Sequence, residues 1–205
     1  YSFSKDKQAN IKDVGGFVGG FLVDGKRSKD TVAYRTVIAL DADENAGDCW
    51  KNFTNSYPSI NAMIYSTHRH TPEAPRMRLI IPLNRNVSCE EYEAISRRIA
   101  SDIGMEMFDA STFQPSRMMY WPSTSVDGEY VFEVSDGVFL DADEILSSYD
   151  DYTDESTWPR HTNEAVQLKR PFSEQMKIND ITCNTSYSDP RKKTNIIGAF
   201  CTVYS

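Results

Sequence analysis

Two aspartates one residue apart, Asp41 and Asp43, end an apolar run that reads V-I-A-L-D-A-D-E-N over Val37–Asn45. In a strand, side chains alternate between faces, so both carboxylates point one way and Ala42 the other. Carboxylates held side by side repel and resist desolvation, and a divalent cation or a shared proton reconciles them. Further on, Ser66-Thr67-His68-Arg69-His70 holds two of the three histidines, beside a hydroxyl and a guanidinium. An imidazole there can ligate metal or donate to a phosphate oxygen. Arg76 and Arg78 share one face of the next apolar run, and guanidinium forks suit phosphate oxygens. Asp109, between Phe108 and Ser111-Thr112, offers the third carboxylate of a two-metal oxygen site, with Arg117 close behind as another phosphate donor. A second D-A-D, Asp141–Asp143, runs straight into a helical pattern and is assigned to capping.

These residues need a framework. Tyr34–Leu40 is the strand that feeds the acidic pair, and Glu44–Tyr57 a helix that Pro58 stops. Ile60–Thr67 and Arg76–Leu83 read as strands joined by a turn between Pro72 and Pro75, a hairpin or near neighbours in one sheet. Ser88–Gly104 is the clearest helix. Ser88 and Glu91 form a capping box, Tyr92, Ile95, Ile99 and Ile103 an apolar stripe, and Gly104 suits the position past the end. Met118–Pro122 is a short strand, Asp127-Gly128 a hairpin turn leading into the strand Tyr130–Val134, and Asp141–Ser148 a short helix. The glycine-rich Val14–Val23 has neither a P-loop ending nor G-x-G-x-x-G spacing, so it reads as strand or turn. Tyr1–Asp13 is a polar lead-in, and Ile196–Val203 looks like a helix cut off at Ser205; the chain reads as a piece of something longer. The expected organisation is a catalytic domain over 1–150, an acidic and polar linker over 151–170, and the start of a helical segment over 171–205.

The formal net charge of −8 argues against a simple nucleic-acid-coating protein. Eight acidic residues and no Lys or Arg lie in Asp136–Glu155, however, and without that stretch the formal charge is zero. Over Ser66–Asn86, by contrast, Arg69, Arg76, Arg78 and Arg85 face Glu73 alone. A local basic surface on an acidic chain is compatible with one groove that takes a phosphate chain. The four cysteines, Cys49, Cys89, Cys183 and Cys201, include no CxxC pair and suggest neither a disulfide framework nor a zinc site. With no apolar run of transmembrane length and no signal-peptide pattern, a cytoplasmic location is expected.

Taken in order, these pieces resemble the archaeo-eukaryotic primase superfamily, and within it the primase-polymerase domains of phage and mobile-element replication proteins. The quoted motifs are I-A-L-D-A-D (Ile38–Asp43) for the acidic strand, Ser66-Thr67-His68 for the s-x-H strand and Phe108-Asp109 for the later acid. The flanks H-x-x-x-x-P-R-x-R-L-I-I-P-L (His70–Leu83) and P-S-R-M-M-Y-W-P (Pro115–Pro122) also match. The resemblance implies an α/β fold, a mostly antiparallel sheet flanked by helices, in which an N-terminal α/β module packs on an RRM-like catalytic module. It implies a DNA-dependent primase or polymerase that makes primers on a single-stranded template. Asp41, Asp43 and Asp109 would hold one or two Mg²⁺ or Mn²⁺ ions, without zinc. Ser66 and His68 would serve the triphosphate of an incoming NTP or dNTP, and Arg76, Arg78 and Arg117 would bind phosphate. Lys26, Arg27 and Arg69 would hold template, and a helicase domain or partner would follow. Two rivals stand beside this reading. One is a rolling-circle nicking endonuclease, in which His68 and His70 hold a metal and a tyrosine is the nucleophile. The other is an inactive module that only binds template.

Overall fold

A computed structural model describes residues 15–162 and Glu164. The lead-in Tyr1–Asp13, the segment 171–205 with its expected terminal helix, Cys183 and Cys201 lie outside the described residues.

The fold is mixed α/β, with antiparallel sheets flanked by few helices. The strands are β1 (Gly16–Phe17), β2 (Gly20–Leu22), β3 (Val32–Ala42), β4 (Ala62–Ser66), β5 (Met77–Val87), β6 (Met119–Tyr120) and β7 (Phe132–Ser135). Five of them form one sheet in the order β2-β3-β5-β4-β7, and β1 pairs with β6 in a separate two-stranded ribbon. Every pairing between these strands is antiparallel.

The helices are α1 (Cys49–Ser56), α2 (Cys89–Ile103) and α3 (Ala142–Leu146). In α2 the Ser88 hydroxyl accepts from the Glu91 amide at 3.1 Å, and Glu91 accepts from the Ser88 amide at 2.7 Å. The capping box therefore satisfies two amides that the first turn leaves over. Gly104 follows at φ +123°, where a side chain would be strained and would also meet Met107. The apolar stripe of α2 packs with Ile38, Leu40, Ile64, Leu79 and Ile81 from one face of the large sheet, and Phe53 joins from α1. The opposite face carries a smaller cluster, Phe17, Val37, Ala39, Tyr65, Ile80 and Met119, under the β1-β6 ribbon. This two-sided burial is why β3 and β5 read as nearly continuous apolar runs.

Several elements depart from the sequence reading. The helix expected from Glu44 begins at Cys49, because Asn45 adopts a left-handed conformation and Ala46–Asp48 forms a 3-10 turn first. The strand expected to end at Leu83 continues through Pro82 to Val87. Pro82 lies opposite Val37, beside a register shift in β3 that accommodates the missing amide donor. The strands on either side of Asp127-Gly128 do not form a hairpin. β6 pairs with β1 while β7 pairs with β4, so tertiary pairing overrides the turn signal. Asp141 caps α3 by accepting from the Asp143 and Glu144 amides, as expected of the second D-A-D. Where a linker was expected, the described residues pack on the domain. Trp158 is buried in the helical-side core, and Glu164 accepts from Arg97 of α2 at 2.7 Å.

Candidate active site

The antiparallel register of β3 and β5 creates the centre of the site. Asp41 lies directly opposite Arg78 and Ala42 opposite Met77. Ala42 and Met77 turn into the helical core, which leaves Asp41 and Arg78 on the other face. The Arg78 guanidinium donates to Asp41 Oδ1 at 3.1 and 3.2 Å and to Oδ2 at 3.0 Å. It also donates to the Tyr120 carbonyl at 2.6 Å and lies 3.4 Å from the Tyr65 hydroxyl. Burial opposes charge on Arg78, but the Asp41 carboxylate prevails and holds its pKa above the ordinary value. Beyond the paired ladder, Arg76 Nη1 lies 3.0 Å from Asp43 Oδ1. Aspartates two apart at the end of β3 thus meet arginines two apart at the start of β5.

Asp109 reaches this pair through the backbone. Phe108 bridges Ala42, the Asp43 amide donates to the Met107 carbonyl at 3.0 Å, and the Asp109 amide donates to the Asp41 carbonyl at 3.0 Å. Asp109 then caps the 3-10 turn Ala110–Phe113 by accepting from the Ser111 amide. Thr112 of that turn accepts from the Asp41 amide at 2.9 Å and donates to the Ala39 carbonyl at 3.1 Å. Arg117 Nη2 lies 3.5 Å from Asp109 Oδ2. Each of the three carboxylates therefore has its own arginine.

Arg76, Arg78 and Arg117 line a cleft of about 200 Å³ together with Asp41, Asp43 and His68. Arg69, Tyr120, Trp121 and Ser123 also border it. A second hollow of about 340 Å³ lies beyond the Asp43–Arg76 pair and reaches Glu44, Asp109, His161 and Glu164. Asp43 stands between the two. Its pKa is raised, first by burial and then by the charges of Asp41 and Asp109, against the lowering effect of Arg76. Carboxylates that resist a common charge in this way are the donor chemistry of a hard divalent cation. Among the described residues no three His, Cys, Asp or Glu side chains already converge as a ligand set; arginines hold the carboxylates instead.

The other expected site residues divide. His68 reaches the cleft because β4 ends at Ser66 and the chain turns at Thr67, and its Nδ1 lies 2.9 Å from Ser123 Oγ. Ser66 does not reach it. This residue is fully buried, lies opposite Met77, and accepts from the Val131 amide at 2.9 Å, so it is a structural hydroxyl on the helical side of the sheet. His70 is likewise structural, with Nδ1 accepting from the Arg76 amide at 3.1 Å. The two imidazoles border different cavities, so the H-x-H spacing presents no common ion site. Arg27 donates to the Ser116 carbonyl at 3.3 Å, next to Arg117, while Lys26 is exposed and borders neither cavity.

Sequence reasoning missed Arg35 and Thr112. Arg35 is fully buried, donates to the carbonyls of Gly19, Val37 and Pro115, and lies 4.0 Å from the centre of the Tyr92 ring. It ties β3 to the loop that carries Arg117. An arginine inside the apolar strand Tyr34–Leu40 was the available signal, since such a residue needs partners when buried. Thr112 carried no signal beyond its closeness to Asp109.

An antiparallel α/β domain with an acidic and arginine-lined cleft is what the fold and site define. The chain belongs to the VapE N-terminal domain family, whose model matches residues 1–161. A solved structure similar to it is the AEP domain of the primase-polymerase (PrimPol) of cyanophage S-2L. The two share 16% identity with a TM-score of 0.45, over 60% of this chain and 64% of that chain, less than two thirds of the neighbour's length. No curated protein matches the chain. Among the described residues no helix is long and apolar enough to cross a membrane.

Proposed function

We propose that this domain is a primase-polymerase of the archaeo-eukaryotic primase type, a nucleotidyltransferase that extends a primer on a single-stranded DNA template. The observation that carries the reading is the gathering of Asp41, Asp43, His68, Arg76, Arg78 and Arg117 around one cleft, with Asp109 joined to it through the backbone of Asp41. Arg78 is fixed by three residues, Asp41, Tyr65 and Tyr120, and serves to orient Asp41. Arg76 and Arg117 are more open, with side chains 36% and 40% exposed, and can turn from their carboxylates to the oxygens of a triphosphate. His68, held by Ser123, donates to the same phosphates, and Arg69 at the rim takes template or nucleotide phosphate. Once Arg76 and Arg117 have turned, Asp43 and Asp109, with the remaining lone pair of Asp41, would hold Mg²⁺ or Mn²⁺. A bound cation of this kind supplies acidity for the attacking 3′-hydroxyl and offsets charge on the phosphates.

The arginine held against every carboxylate favours one other reading, a module that binds template without catalysis. A primer-extension assay on single-stranded template, with NTPs or dNTPs and Mn²⁺, separates the two. Under the proposal Asp41→Ala lowers incorporation by about 10²-fold or more. Incorporation absent from the parent protein, or equal in parent and Asp41→Ala, supports the binding module instead.

A further inference from the structure

The large sheet carries the row of residues that begins at the candidate active site out to its open edge. Asp41 pairs with Arg78, Arg78 with Tyr65, and Tyr65 with Phe132, so these four side chains stand on one face across β3, β5, β4 and β7. With strands about 4.8 Å apart, Phe132 sits roughly 14 Å from Asp41. The next row ends at Val134, opposite Met63. Tyr130 precedes β7 on the same alternation, next to Val131, whose backbone exchanges hydrogen bonds with Ser66 at the end of β4. Tyr130, Phe132 and Val134 are 47%, 52% and 46% exposed, an apolar strip on a surface that otherwise leads into a polar cleft.

The charges around the strip are sorted by the same alternation. Glu129 and Glu133 turn to the opposite face, where they border a separate hollow with Val131. On the strip's own face the cleft offers Arg69, which is exposed and among the described residues enters no ion pair. Exposed rings in line with cationic groups match a ligand made of flat bases on an anionic chain. Base–aromatic stacking is tolerant of sequence and is worth enough per base to hold a strand.

We propose that Tyr130 and Phe132 form a stacking platform for the single-stranded nucleic acid leaving the cleft, with two to four nucleotides, in order of magnitude, spanning the roughly 14 Å between Asp41 and Phe132. The proposal rests on the primase-polymerase reading for the identity of the strand, but its test needs no chemistry. The full chain is titrated against a fluorescein-labelled oligothymidylate of about 20 nucleotides, in EDTA and without nucleotide, and anisotropy is followed. A second oligonucleotide carries abasic sites in place of the bases. The parent is expected to prefer the base-bearing strand. Phe132→Ala should weaken that binding by about 5- to 100-fold while leaving the abasic strand unaffected. Tyr130→Ala should act in the same direction, and Phe132→Trp should restore binding. Both positions are exposed, and circular dichroism checks that the variants remain folded.

Equal affinity of parent and Phe132→Ala for the base-bearing strand overturns the platform. So does sedimentation showing a parent dimer that Phe132→Ala converts to monomer with DNA affinity unchanged, since the strip is then a self-interface. Ring-dependent binding without primer synthesis refutes the catalytic reading alone. Primer synthesis with ring-independent binding refutes the platform alone.

Discussion

Asp43 is where the charges of the site meet. Burial and the neighbouring charges of Asp41 and Asp109 oppose its ionisation, and the Arg76 guanidinium at 3.0 Å favours it. Its folded pKa is raised above the ordinary 3.8. The folded state therefore keeps that proton to higher pH than the unfolded state does, and stability is lost as pH rises from about 3.8 through the folded value. Asp43→Asn is expected to raise the melting temperature at pH 7 by about 1–3 °C and to change it little at pH 3, where both states are protonated. Thermal unfolding at the two pH values checks this. Millimolar Mg²⁺ should likewise raise the melting temperature of the parent at pH 7 and have less effect on Asp43→Asn, because the ion relieves the same repulsion.

At the scale of elements, the 3-10 turn Ala110–Phe113 is the device that brings the third carboxylate to β3. Thr112 joins the two by accepting from the Asp41 amide and donating to the Ala39 carbonyl, in a fully buried position. Thr112→Val keeps the shape and removes both hydrogen bonds, leaving an amide and a carbonyl without their partner. It should cost about 2–4 kcal/mol of stability, read from urea midpoints, and should lower primer synthesis by loosening Asp109. Arg35 plays a comparable part for the loop of Arg117, through the Pro115 carbonyl. These contacts explain why Asp109, a lone Asp in the sequence, reaches the acidic pair: the sheet is extended by one bridge, Ala42 to Phe108, and the next residue is placed by it.

For the whole molecule, the acidic stretch Asp136–Glu155 runs through α3, which packs with the helical layer, and Arg85 pairs with Asp143 there. The arginines of the cleft lie on the other side of the sheet. An acidic chain can thus present a cationic cleft, since its negative charge is carried on the far layer. The described residues beyond 150 also belong to the domain. Trp158 is 5% exposed and donates to the Tyr152 carbonyl at 2.7 Å. Trp158→Ala should destabilise the domain by about 3–5 kcal/mol, whereas a residue in a solvated linker would tolerate the change. Chemical denaturation decides between them.

Much of this protein was written in local pattern. The alternation of V-I-A-L-D-A-D determined that Asp41 and Asp43 share a face, because a strand has a period of two. The stripe and capping box of α2, and the cap at Asp141, were equally legible, because those interactions close within four residues. What the sequence could not show was which strand lies beside which. The pairing of β3 with β5 set Arg78 against Asp41 and Arg76 against Asp43, and the end of β4 at Ser66 sent His68 into the cleft but Ser66 into the core. Pairing of β6 with β1 and of β7 with β4 undid the hairpin that Asp127-Gly128 suggested. The aspartate triplet itself is common, as its second copy at Asp141 shows. Its meaning at Asp41 comes from register, which side-chain packing on both faces of the sheet fixes and no single segment encodes.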